Sequence, residues 1–419
     1  MMNTLTRNAT LTARKQLSAT SFVCRTCRQQ QRRQCSSTNP TTTAPPPAPP
    51  SAGYAALSSR RLISVAGADA AKFLQGVITG NIASEAARAR KSGFYAAFLN
   101  ATGRVLHDVF IYPDLAGLGG GAAAESEQAG TRFLIEVDAN EAERLAKHIK
   151  RYKLRAKLTV RLLAADEATV WHAWNDSGKP ITTDAALMDT MTKDPRTPGL
   201  GYRVVQGGDA AAAPPGLSLD LDVTTEDSYT IRRYLQGVAE GQDEVIREHA
   251  LPQETNMDYM NGIDYHKGCY VGQELTIRTK HRGVVRKRIL PCMIYDVDRA
   301  APQTLQYRTD ADQDATNRGP EGGLPAESIP RETSIGRSGK KGRSAGKWLK
   351  GIGNVGLGLC RLEIMTDVVL PGETAASTFD PTNEFLLKWG EGDGEQNNAV
   401  KIKAFVPEWL RNGLNEASG

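Results

Sequence analysis

The residues best equipped for chemistry lie between 251 and 291. Leu251-Pro-Gln-Glu-Thr-Asn256 is followed by Asn261-Gly-Ile-Asp-Tyr-His-Lys267-Gly-Cys-Tyr-Val-Gly-Gln-Glu274, with Cys269 directly after Gly268 and shortly before Gly272. Glycines so placed permit a sharp backbone bend and close approach of a ligand or partner. Gln273, Glu274 and the run to His281 predict a helix opening just after the thiol. That helix N-terminus, Lys267, and the cluster Arg278, Lys280, Arg282, Arg286, Lys287 and Arg288 would surround Cys269 with positive potential and favour its thiolate, the form that attacks or ligates a metal. The cluster has two readings: a solvated face, or the seat of an anionic group such as a carboxylate-bearing ligand or an acidic partner surface.

The other thiols are less promising. Of six cysteines, Cys24, Cys27 and Cys35 fall in an N-terminal stretch of unusual composition, and Cys292 and Cys360 stand among strand-forming apolar residues. Three scattered thiols form no disulfide framework and fall short of the four Cys ligands usual for an iron–sulfur cluster, so a partner would have to complete any such ligand set. Asp108, beyond a predicted turn, is a candidate acid/base or ligand-orienting carboxylate. His107, His266 and His281 lack metal-ligand spacing, which argues against a dedicated mononuclear zinc site.

The elements that position these groups follow from pattern. A chain of 419 residues implies two or three packed units. Residues 1–50 carry seven Lys/Arg and no acid; without them 45 basic side chains face 47 acidic ones, a balance of −2. The basic character therefore belongs to the leader and does not mark a nucleic-acid binder. An Arg-rich, Ser/Thr-rich, acid-free leader running into Thr41–Pro50 reads as a mitochondrial transit peptide cut near Cys35 or Ser36, with a disordered tail as the alternative. No apolar run approaches membrane-spanning length, so no membrane insertion is expected.

Tyr54–Val65 reads as a strand or hairpin, and Asp69 as the cap of a helix over Ala70–Ile78 with Phe73, Leu74 and Val77 on one face. Phe94–Leu99 and Val105–Tyr112 flank Asn100-Ala-Thr-Gly-Arg104 as a β-hairpin. Strands follow at Arg132–Asp138, Lys157–Leu163 and Ala168–Trp174. Helices are expected after Asn140, with Leu145 and Ile149 on one face, and over Tyr229–Val238, capped by Asp227 or Ser228. Pro113–Gly130 and Gly207–Pro215 read as breaks, and about 300–350 as a disordered segment or long loop whose basic end, Arg331–Lys350, reads as a solvated run, with a docking patch as the alternative. Short strands at Gly356–Ile364 and Val400–Val406 suit a small β-barrel. The fold class is α+β.

At Lys267–Glu274 the chain resembles the YgfZ branch of the glycine-cleavage T-protein (aminomethyltransferase) superfamily, whose signature KGCYxGQE it matches. Further support is Arg61–Gln75, the Leu99–Asp108 hairpin, Leu251–Asn256, Lys280-His-Arg-Gly283, Gly356–Leu362 and Phe405-Val-Pro-Glu-Trp409. With the leader, it looks like a mitochondrial, fungal member. The resemblance implies a three-domain folate-binding fold: a discontinuous first domain and a ferredoxin-like middle domain over 51–290, then a C-terminal β-barrel over 291–419, around a central cavity. It implies a matrix factor that matures [4Fe–4S] proteins, among them aconitase and the lipoyl- and biotin-forming radical enzymes, with A-type scaffold proteins as partners. Cys269 matches the functional cysteine and would ligate a shared cluster. Lys267, Gly268, Tyr270, Gly272, Gln273, Glu274 and Arg282 become candidates for holding that cluster or tetrahydrofolate, with Asp108 assisting. Aminomethyltransferases carry an Asp-Asp pair where this chain has His107-Asp108. A folate-dependent one-carbon transferase using Cys269 and Asp108 stays open as the alternative.

Overall fold

The structure, a computed structural model, describes residues 45–120, 132–181, 183, 191–210, 214, 221–309, 324–339, 342–370, 379–390 and 398–416. Residues 1–44, with the expected cleavage site, lie outside them; the end of the leader, residues 45–50, is described, and there Pro46 O accepts from the Tyr307 hydroxyl at 2.6 Å and Pro50 O from Trp174 Nε1 at 2.9 Å. Strands β1 (Ala52–Ala56) and β2 (Arg60–Ala66) form where the alternating apolar pattern predicts them, but they are not a hairpin. They join different sheets. The turn between them is held from outside: Ser58 Oγ donates to Glu226 Oε2 at 2.6 Å, and the Ser58 N–H donates to the same oxygen at 2.9 Å.

From β2 the chain builds a five-stranded antiparallel sheet. Its elements are α1 (Ala70–Val77), α2 (Glu85–Arg88), β3 (Phe94–Leu99), β4 (Val105–Pro113), β5 (Arg132–Asp138), α3 (Ala142–Tyr152) and β6 (Thr159–Leu162). The strand order is β3-β4-β5-β2-β6. Leu74 of α1 and Leu145 and Ile149 of α3 are buried in one core with Phe98, Val109 and Ile135. Each such side chain contributes roughly 1.5–3 kcal/mol by leaving water. Asp69 is the N-cap residue of α1, as expected, but its carboxylate makes no bond to the helix and accepts the Lys157 N–H at 2.7 Å instead, fastening the helix start to the approach of β6.

A second sheet, ordered β10-β1-β7-β9-β8, gathers β1, β7 (Ala168–Asn175), β8 (Thr192–Lys193), β9 (Tyr202–Gly207) and β10 (Asp222–Val223). Residues 52–56 thus pair with residues 171–175, with the whole first sheet inserted between them in sequence. The second sheet is therefore assembled from segments that are discontinuous in sequence. Helix α4 (Glu226–Gln236) begins earlier than the capping pattern suggested: Thr225 is its N-cap, and Asp227 and Ser228 lie inside the first turn. Helix α5 (Gln273–Arg282) then leads into the barrel.

Six strands close the barrel: β11 (Lys287–Tyr295), β12 (Ser334–Arg337), β13 (Gly346–Ile352), β14 (Val355–Arg361), β15 (Phe385–Trp389) and β16 (Asn398–Ala404). Helix α6 (Leu362–Met365) follows β14, and α7 (Glu408–Glu416) follows β16. The barrel opens at Lys287, a few residues before the expected boundary at 291. The expectation of a disordered 300–350 segment is corrected over its second half, where β12 and β13 are barrel staves. Trp348 and Leu349 are buried while Lys347 and Lys350 point outward on either side of a register shift between Trp348 and Lys350, so a half-buried, bulged strand looks in sequence like a charge run. Residues 310–323 and 340–341 lie outside the description.

Candidate functional site

The Cys269 loop is fixed at both ends and open at its crest. Before the crest, Lys267 Nζ donates to the carbonyls of Ile78 at 2.6 Å and Gly80 at 2.7 Å, and lies 4.9 Å from the Tyr270 ring centroid. Burial pushes its pKa down to about 7, with Asp264 pulling the other way. After the crest, the Val271 N–H donates to Gly76 O at 3.0 Å, Tyr270 is buried, and the Tyr270 N–H donates to Gln273 Oε1 at 3.2 Å. Gly272 closes the loop at φ +82° as the N-cap of α5, against the Asn100–Gly103 turn of the β3–β4 hairpin. A Cβ there would stand 2.4 Å from Asn100 O. Gly268 is different: a Cβ would meet nothing within 4 Å. Its contribution is open space beside the thiol. Cys269 and Gly268 are exposed, whereas Cys292 and Cys360 are sealed in the barrel with their sulfurs 3.8 Å apart.

The cations are arranged otherwise than the sequence suggests. The Lys267 ammonium is bound to carbonyls and does not face the thiol as a free charge. Arg288, counted in the basic cluster, is buried and grips Asp258 with two bonds of 2.9 Å while donating to Gln253 O at 2.7 Å. Arg278, Lys280 and Arg282 are exposed on the second half of α5, with Lys280 over the Tyr265 ring at 5.3 Å. At 1.5 Å per residue, Arg282 stands roughly 13 Å along the axis from the helix start. Glu274 is exposed in the first turn, where a carboxylate complements the helix dipole.

Asp108 is not part of this loop. It is fully buried, accepts the Gly241 N–H at 3.1 Å and Gln242 Nε2 at 3.2 Å, and lies 3.8 Å from Arg60 Nη1. Burial raises its pKa; Arg60 opposes the shift. Around it the two sheets enclose an ionic cluster that sequence reading missed. Arg60 Nε meets Glu136 at 2.8 Å, Arg196 meets Asp194 and Glu240 at 2.7 Å each, and Arg203 bridges Glu136 and Glu240. The hydroxyls of Tyr112 and Tyr229 donate to Glu136 at 2.6 Å and Glu240 at 2.8 Å. His107 is also buried. Desolvation and the Arg247 cation push its pKa down to about 3, so it stays neutral and its Nε2 accepts from Arg247 Nη1 at 2.6 Å.

These placements test the fit of tetrahydrofolate. The Asp108 oxygens are already bonded and have no exposed surface, the Lys267 ammonium is taken up by the Ile78 and Gly80 carbonyls, Gln273 is bonded to the Tyr270 N–H, and Glu274 and Arg282 face solvent. Cys269 and Asp108 share no hydrogen bond or ion pair among the described residues. The candidate residues do not converge on one space, and as arranged they do not fit a bound pterin.

Comparison with known proteins agrees with the architecture. Residues 286–412 match the family model for the CAF17 C-terminal beta-barrel domain, which coincides with the closed barrel. Curated relatives named iron–sulfur cluster assembly factor IBA57 homolog, mitochondrial, are 60% identical over 365 residues in Pyricularia oryzae, covering 87% of this chain and 86% of the relative. The Neurospora crassa relative of that name is 51% identical over 376 residues, covering 86% and 81%. The chain belongs to this family of mitochondrial iron–sulfur cluster assembly factors. Its three-part fold is shared beyond the IBA57 family: the crystal structure of glycine cleavage system aminomethyltransferase T from Bartonella henselae superposes with TM-score 0.55 over 87% of each chain at 13% identity.

Two further features became visible only in three dimensions. His266, just ahead of the crest, has a completely exposed side chain. Asn256, at φ +64° and fully buried, donates to Ile289 O at 2.7 Å and accepts from Arg288, while Gln253 Nε2 donates to Thr276 O at 3.0 Å. The Leu251–Asn256 tract therefore clasps α5 to the barrel. An Asn in a polar tract is a usable sequence signal for a left-handed backbone; His266 offered none.

Proposed function

We propose that this chain works in the mitochondrial matrix as a maturation factor for [4Fe–4S] proteins, with Cys269 supplying one ligand to a cluster held jointly with an A-type scaffold protein. The observation that carries the reading is the single exposed thiol among the described cysteines, on a loop anchored by Lys267 and Gly272 beside an uncluttered Gly268. One thiol falls short of the usual four, so the remaining ligands come from the second protein. The thiol loses its proton as its sulfur bonds iron, a ligand exchange without net electron transfer. Anchoring keeps the sulfur presented without further ordering of the loop, which lowers the entropic cost of docking. Transfer to apo clients, aconitase and the radical lipoyl and biotin synthases among them, then proceeds by exchange of Cys269 and of the scaffold protein's ligands for client thiolates, Cys269 regaining a proton as its bond to iron breaks.

The test is anaerobic copurification of the chain with an A-type partner. Cys269→Ser is expected to fold like the wild type and to lose the visible chromophore that the two proteins hold together. A shared cluster of unchanged spectrum and yield in Cys269→Ser would overturn the reading.

A further inference from the structure

Helix α3 and the turn behind it form a second exposed surface that the proposed function does not use. From Arg144 to Lys157 the chain has seven Lys/Arg and no acidic residue. Arg144, Lys147 and Arg151 recur at helical spacing opposite the buried Ala142, Leu145, Ala146 and Ile149, and Lys150, Arg155 and Lys157 are exposed beside them. The acids that touch this surface are weak counterweights. Glu141 and Glu143 meet Arg144 and Lys147 at 3.4 Å in solvated pairs, and Asp69 binds the Lys157 backbone.

Two apolar side chains stand among these cations. Tyr152 is 50% exposed and stacks on His148 at 4.3 Å; Leu154 is 85% exposed. Leu154 occupies the position after the helix C-cap at φ +46°, a conformation glycine adopts there at less cost. A large apolar side chain held in a strained backbone and pointed into water conflicts with stability, and such conflicts mark functional positions. The turn is built to present it: the Lys153 N–H donates to Ile149 O, the Ala156 N–H to Lys153 O, and Lys153 Nζ to Leu158 O at 2.7 Å.

We propose that this surface docks reversibly on an anionic phospholipid bilayer, with Leu154 and Tyr152 entering the interface and the surrounding Lys/Arg heads meeting lipid phosphates. The single-sign charge favours lipid: four Lys and three Arg with no acidic residue from 144 to 157, set around protruding apolar side chains, fit a charged membrane surface. Among the described residues no helix is long and apolar enough to cross the bilayer.

The test is co-sedimentation of the full chain with vesicles of phosphatidylcholine alone or mixed with phosphatidylglycerol. Every protein compared carries the same basic leader, so differences report the α3 surface. Wild type is expected to bind the phosphatidylglycerol vesicles and to release them in high salt. At about fivefold per cation, Lys150→Ala/Arg151→Ala/Arg155→Ala is expected to bind roughly a hundredfold more weakly. Leu154→Ser, with unchanged charge and an unchanged melting curve, is expected to bind several-fold more weakly. Leu154→Trp is expected to shift its emission to the blue on vesicles. Equal binding by wild type and the triple variant overturns the proposal. So does a silent Leu154→Ser, or the triple variant losing affinity for poly-glutamate or a DNA duplex while keeping it for vesicles.

Discussion

Replacing Gly272 with alanine separates the anchoring of the Cys269 loop from its chemistry. The added Cβ would lie 2.4 Å from Asn100 O, 2.8 Å from Leu99 Cβ and 3.2 Å from Gly103 Cα. None of these atoms can rotate away. Asn100 is held because its Oδ1 accepts the Thr102 and Arg104 N–H groups at 3.0 and 2.9 Å and its carbonyl accepts the Gly103 N–H at 2.9 Å. A left-handed φ costs an alanine about 1–2 kcal/mol, and crowding of a packed site adds about 1–3 kcal/mol. Gly272→Ala is therefore expected to lose roughly 2–5 kcal/mol in urea unfolding at pH 7. Gly268→Ala, with open space around it, is expected to stay within about 0.5 kcal/mol of wild type. On the proposed reading, in which a partner approaches at the crest, Gly268→Val is expected to keep stability while reducing the cluster shared with an A-type partner. A wild-type urea midpoint in Gly272→Ala, or equal losses at both glycines, would refute the account of a loop fixed at its ends and free at its crest.

Other outcomes follow from the buried charges. Glu240→Gln leaves Arg196 and Arg203 under-compensated in a sealed cluster and is expected to cost about 3–5 kcal/mol in chemical denaturation, the usual penalty for breaking such a set from one side. His107 has a folded pKa of about 3, below its unfolded value near 6.5. The unfolded chain then binds the extra proton, so stability is complete above 6.5 and falls by up to about 1.4 kcal/mol per pH unit towards 3. His107→Gln, which keeps an acceptor for Arg247, is expected to flatten that part of the pH profile. Lys267, with a folded pKa of about 7 against an unfolded 10.5, makes stability rise with pH between those values. Lys267→Met is expected to remove that rise and to lose about 1–3 kcal/mol at pH 7 by leaving two carbonyls unbonded.

Local pattern carried much of this fold. The Phe94–Tyr112 hairpin, the Arg132–Asp138 strand and the helix after Gly272 stand where alternation, turn residues and glycine predict them, because each is decided by neighbours in sequence. The β1/β2 separation was not legible, since the competitor to a hairpin was Glu226, far along the chain. Strands β12 and β13 were hidden by their solvent-facing lysines and arginines. The loop carrying Cys269 could be read from its glycines, although only the contacts tell which glycine is sterically required. The ionic cluster could not be read at all: Arg60, Glu136, Asp194, Arg203 and Glu240 come from separate segments, and each alone looks like an ordinary surface charge.

The pairing of residues 52–56 with 171–175 also bears on the order in which the molecule can assemble. A chain delivered N-terminus first exposes β1 long before its neighbours arrive, and an unpaired apolar strand edge is a template for association with other chains. The second sheet can close only after more than a hundred further residues have followed, so its completion is a late event in biogenesis. A holding chaperone on the receiving side would shelter that waiting edge.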